Sequence, residues 1–162
     1  MNRIDSRASD RREGVTDAWY WEGNIVDAIA TYLVREGWEI ISKADTLSRA
    51  RGVDIHAKRA DRTLRTEVKG FPSGQYRDPK RAGELKRTNP NSQALQWYSH
   101  ALLTAVRLRV KYPNDNVALG FPDFPRYIAL FAETQQALGK LGIAFMTVDE
   151  NQKVVAVGLE HS

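Results

Sequence analysis

Asp54, Glu67 and Lys69 are the residues of this chain best suited to chemistry by type and spacing. Carboxylate oxygens are hard ligands, suited to Mg²⁺ or Mn²⁺. A lysine beside them brings a compact cation and a proton donor. The surrounding pattern puts them together. Val53, Ile55 and Ala57 alternate with Asp54, His56 and Lys58, and Leu64, Thr66 and Val68 alternate with Thr63, Arg65, Glu67 and Lys69. Period-two alternation predicts two half-buried strands. A turn at Ala60-Asp61, closed by a two-residue or a four-residue loop, predicts a hairpin with Asp54 directly opposite Glu67. Lys69 then projects from the same face as Glu67, and Val68 points into the apolar layer. Like charges facing each other destabilise a strand pair. A positive charge is therefore expected between them, supplied by Lys69 and by a divalent cation. The competing reading is a solvated hairpin with scattered charges.

The elements that would position these residues can be read on either side. A helix is expected from Thr16, as N-cap, to Glu36, with an apolar stripe at Ile25, Val26, Ile29, Tyr32 and Leu33. Glu22 extends that stripe toward the N-terminus. It either reaches solvent or points at the metal site. Trp38 to Ser42 alternates as a first strand, and the hairpin follows. From Gly70 to Asn91 no period is evident. The segment carries Tyr76, Arg77, Lys80, Arg81, Lys86 and Arg87, basic groups with an aromatic, which suit a phosphate backbone and a base face. A solvated loop is the alternative. Ser92 to Lys111 is expected as a second helix, apolar around most of its circumference and so mostly buried, with Gln93 and Trp97 on one face. A short strand at 116–120, a rigid loop Phe121-Pro122-Asp123-Phe124-Pro125, a helix to Leu141 and strands at 143–148 and 154–158 complete the chain. Strand, helix, strand over 116–148 predicts a parallel crossover.

The 162 residues suit one domain, divided into a flexible arm at 1–15 and a folded unit at 16–162. The chain has no Cys and only 3 His, which argues against disulfides and against Cys- or His-based metal sites. No apolar run reaches membrane-spanning length and no signal peptide is evident, so the cytoplasm is the expected compartment. The net charge of +4 is uneven: residues 58–87 hold 10 Lys/Arg against 4 Asp/Glu. That excess around the hairpin suits a polyanion.

In this order the motifs resemble the PD-(D/E)XK nuclease superfamily. The resemblance rests on Gly52-Val53-Asp54, on Glu67-Val68-Lys69, on Glu22 in the first helix and on Gln93 with Trp97 in the second. Val53 stands where the family often has proline, and Trp97 where tyrosine is usual. The resemblance covers roughly residues 16–120. It implies an α/β fold with a restriction-endonuclease-like core, a mixed β-sheet flanked by helices in the order αβββαβ, then αββ. It implies a Mg²⁺- or Mn²⁺-dependent nuclease, endo- or exonucleolytic, hydrolysing phosphodiester bonds, with DNA favoured as the nucleic acid. Asp54, Glu67 and the backbone carbonyl of Val68 would be metal ligands, and Glu22 would hold a second metal or an outer water. Lys69 would orient or deprotonate the water or stabilise charge, and Gln93 would contact water or phosphate. A homodimer or a targeting partner protein would suit duplex cutting. The alternative is a catalytically silent module of the same fold that binds DNA or a partner.

Overall fold

The structure, a computed structural model, describes residues 18–44, 52–76 and 78–159. The expected arm, the Thr16 cap and Arg77 lie outside the described residues. Helix α1 (Glu22–Arg35) leads into strands β1 (Glu39–Lys43), β2 (Ile55–Arg59) and β3 (Arg62–Val68). Helix α2 (Pro90–Lys111) and β4 (Asn116–Pro122) follow, then α3 (Pro125–Lys140), β5 (Ile143–Val148) and β6 (Val154–Val157). This is an α/β fold in the expected order, αβββαβ and then αββ.

All six strands form one mixed sheet in sequence order, β1 to β6. β1, β2 and β3 pair antiparallel, β3, β4 and β5 pair parallel, and β6 returns antiparallel. The hairpin register is the one the alternation predicts: Ile55 faces Thr66 and Arg59 faces Arg62. Its turn is the two-residue form, with Ala60 at φ 53°. Parallel pairing of β4 with β5 confirms the crossover through α3.

Alternation divides the core into two layers. Ile55, Ala57, Leu64 and Val68 face α1, where Ile25, Val26, Ile29 and Leu33 are buried. Val117, Leu119, Phe121 and Phe145 face the opposite side, under α2 and α3. Glu67 alternates with Val68 and so belongs to the α2 side.

Three expectations need correction. α1 begins at Glu22, with residues 18–21 in turns and bends. Trp19 and Tyr20 are drawn into an aromatic cluster with Phe124 instead of extending the helix. α2 buries only Ala94, Tyr98, Ala101 and Ala105, while Leu95, Leu103 and Val110 are exposed. It lies as an outer layer over one side of the sheet, so only the stripe that meets β3, β4 and α3 is covered. Phe121-Pro122 is not a loop but the end of β4, because Phe121 fills the core between Tyr98, Tyr127 and Phe145.

Candidate active site

β3 positions the first part of the site. Thr66 and Val68 are fully buried, which fixes the face from which Glu67 projects. Glu67 is itself buried at 6% exposure. Lys69, just beyond the strand, is held in register by its N–H, which donates to the Gly120 carbonyl at 3.0 Å. Its ammonium donates to Glu67 Oε1 at 2.8 Å. The two-residue spacing on one strand face produces this contact directly.

Asp54 enters from the other limb of the hairpin. It lies one residue before β2, where its carbonyl accepts from Ala44 N–H at 2.7 Å. Its carboxylate Oδ2 accepts from the Val68 N–H at 2.7 Å. It is also close enough to Glu67 for the two carboxyls to share a hydrogen bond. The opposition foreseen from the register is therefore real. Burial first, and the Glu67 charge second, push the Asp54 carboxyl up to about 6, against the opposing pull of the Val68 N–H and Lys69. Burial draws the Lys69 ammonium toward neutrality, but Glu67, Glu22 and Asp54 together outweigh it and hold its pKa above the ordinary lysine value.

Glu22 is the first residue of α1, and its charge acts on both Lys69 and Tyr127. The start of α1 is set close to the exit of β3 by Gly70. A Cβ at Gly70 would come within 2.6 Å of the Glu22 nitrogen and the Tyr20 carbonyl oxygen, closer than real side chains approach. Phe71 N–H donates to that same Tyr20 carbonyl at 3.0 Å. From the other side of the site, the Tyr127 hydroxyl of α3 donates to the Gly70 carbonyl at 2.8 Å. Burial, and then Glu22, push the Tyr127 phenol well above its usual range, so it stays a donor. Phe71 stacks on Phe124 at 4.0 Å, and Phe124 stacks on Trp19 at 5.3 Å. This aromatic group joins the entry to α1, the exit from β3 and the entry to α3.

Gln93 lies in the first turns of α2, and its buried Oε1 has no hydrogen-bond partner. An orphaned amide carbonyl of this kind costs energy unless water or a ligand meets it. Asn89 caps the helix by accepting from Asn91 N–H.

The segment between β3 and α2 is more ordered than its lack of period suggests. Gln75 and Leu85 form an isolated antiparallel bridge, and Pro79–Arg81 is a 3₁₀ turn. Arg81 stacks on Tyr76 at 3.5 Å and donates to Glu84 at 2.8 Å. Lys80 and Arg87 are exposed and Lys86 is half-buried.

The structure thus brings Asp54, Glu67 and Lys69 into contact and sets Glu22 near Lys69. Tyr127, Gly70 and the aromatic group were not found from the sequence. The available signal was position: Trp19-Tyr20 precede Glu22, and Gly70-Phe71 follow Lys69. Among the described residues, no group of three or more carboxylate and imidazole side chains is placed to hold a metal ion. The donor set instead consists of two carboxylates in contact, with the Val68 backbone beside them. Mg²⁺ is commonly held in that way, by one or two carboxylates with water and substrate phosphate completing its shell.

No family model matches the chain, and no curated protein matches its sequence. Two solved structures are similar in shape. One is an XisH family protein from Nostoc punctiforme, 19% identical, with TM-score 0.49, covering 81% of this chain and 95% of its own. The other is an fdxN element excision controlling factor protein from Anabaena variabilis, 20% identical, with TM-score 0.49 and the same coverage of both chains. Identity this low is no guide to chemistry. Among the described residues, no helix is long and apolar enough to cross a membrane.

Proposed function

We propose that this chain is a metal-dependent nuclease of the PD-(D/E)XK type, acting on nucleic acid, with DNA the favoured substrate. The observation that carries the reading is the contact of Asp54, Glu67 and Lys69 at the end of β3, a buried and a half-buried carboxylate with one ammonium. Asp54 and Glu67 would hold Mg²⁺ or Mn²⁺, with the Val68 carbonyl as a third donor. When bound, the cation supplies Lewis acidity and a nucleophilic water at neutral pH. Its charge also relieves the carboxylate repulsion.

The chain's own groups supply the rest. Lys69, held as an ammonium by Glu67, stabilises negative charge building on the phosphate. Glu22, whose charge reaches Lys69, would orient a water. Gln93 Oε1 offers an unused acceptor to such a water. Lys80, Lys86 and Arg87 would track the backbone electrostatically.

Calorimetric titration with Mn²⁺ tests the metal site apart from catalysis. Wild type should bind, Asp54→Ala and Glu67→Ala should bind at least about tenfold more weakly, and Lys80→Ala should bind as wild type does. Equal binding by all four proteins would exclude the proposed ligands.

A further inference from the structure

We infer that Arg126 binds a phosphate of the nucleic-acid backbone beside the cleavage site, an assignment that rests on the nuclease reading and deepens it. The guanidinium groups of this chain differ in what they do. Arg65 is committed to Asp115, Arg81 to Glu84 and Tyr76, and Arg109 to the carbonyls of Leu141, Asp115 and Gly142. Arg126 is the arginine, among the described residues, with a buried N–H left without any partner, its Nε. A solvent-exposed arginine satisfies its donors with water. A buried guanidinium N–H without an acceptor carries the full cost of its lost hydration. Such a group needs an acceptor, and a planar fork of donors matches the paired oxygens of a phosphate or carboxylate.

Its position in the fold indicates which acceptor. Arg126 is in the first turn of α3, directly before Tyr127, whose hydroxyl is fixed on the carbonyl of Gly70. Gly70 is the residue after Lys69. Arg126 is also four residues before Leu130, so it flanks the buried stripe of Tyr127, Leu130 and Leu138, which accounts for the burial of its Nε. Side chains in a helix lean toward its N-terminus. Arg126 therefore leans past the start of α3, toward the edge of the sheet where β3 ends. Gln93, which also has an unmet buried atom, lies in the first turns of α2. A substrate phosphate engaged by Lys69 would carry its neighbouring phosphate along this edge.

Equilibrium binding of a covalently closed DNA circle and of a linear duplex, with and without 5′-phosphates, tests the assignment. It is measured in Ca²⁺ over a range of salt for wild type, Arg126→Gln and Arg126→Lys. Arg126→Gln should bind every form about 5- to 20-fold more weakly, with the salt slope reduced by about one. Arg126→Lys should keep the slope and recover only part of the affinity, because it keeps the charge but loses the fork. Thermal melting checks that both variants fold. Wild-type affinity and slope in Arg126→Gln overturn the assignment. So does a loss confined to 5′-phosphorylated ends, which would make Arg126 an end-binding residue. A wild-type protein that binds none of these DNA forms also overturns it. Failure of the nuclease reading would appear differently, as a wild-type protein that binds DNA but does not cut it in Mg²⁺, and the Arg126 comparison would still report on binding.

Discussion

Asp54 is stabilised and penalised at once. It accepts the Val68 N–H, yet it is half-buried against Glu67, and its carboxyl is pushed up to about 6 from 3.8. The folded protein therefore holds a proton that the unfolded chain releases between those values. Stability from this group falls as pH rises through that window and is at its lowest above pH 6. The difference corresponds to a penalty on the order of 3 kcal/mol. Asp54→Asn keeps an acceptor for Val68 and removes the charge. It should raise the unfolding free energy near pH 7.5 by about 1–3 kcal/mol, with the gain fading toward pH 4. Chemical denaturation at several pH values, without divalent cations, checks this. A gain independent of pH would mean that the carboxylate is not strained. Lys69→Ala should leave DNA binding in Ca²⁺ largely intact while slowing single-turnover cleavage about 10²–10⁴-fold. Lys69→Arg should recover part of that rate if charge stabilisation is its role, and almost none if Lys69 is a base. Equal losses of binding and cleavage in Lys69→Ala would make it an anchoring residue instead.

The hairpin was legible in the sequence because everything that defines it is local. Alternation names the two faces, and the Ala60-Asp61 turn sets the register, so Asp54, Glu67 and Lys69 could be brought together on paper. The clasp around them was not legible. It depends on the Tyr127 hydroxyl meeting a carbonyl across the chain and on Gly70 lying under the first residue of α1. No periodicity reports contacts of that range. α2 is more exposed than its composition implies for a related reason: apolar content says that a helix has something to bury, but not how much of its surface a neighbour will cover. The clasp has its own test. Gly70→Ala places a methyl group against backbone, not against a side chain that can swing away. It should cost about 1–3 kcal/mol or more in stability. Tyr127→Phe removes only the donor to the Gly70 carbonyl. It should cost about 1–3 kcal/mol and lower kcat more than it raises KM, because Lys69 and Glu22 lose a shared support. A change in melting temperature with kcat untouched would reduce Tyr127 to a core residue.

Across the whole molecule, one edge of the sheet gathers the polar features that the core does not explain. The end of β3, the start of β2 and the first turns of all three helices meet there, bearing Glu67, Lys69, Asp54, Glu22, Gln93 and Arg126. Elsewhere among the described residues the two apolar layers hold the buried hydrophobic side chains, with Thr66, His56 and Trp38 each keeping one buried polar atom unmet. The fold class and the αβββαβ, then αββ order followed from the sequence because hydrophobic period and turn residues fix element type. The partners that meet at this edge come from segments far apart in the chain. The central claim is that the edge is a phosphodiesterase centre that works through a divalent cation. Single-turnover cleavage of a panel of duplex, branched and single-stranded DNA and RNA, in Mg²⁺ and in EDTA, tests it most directly, with wild type and Glu67→Ala compared at equal concentration. Wild type should cleave at least one substrate in Mg²⁺ and none in EDTA, and Glu67→Ala should lose about 10²-fold or more in rate. Cleavage that survives EDTA, or that proceeds unchanged without Glu67, would contradict it.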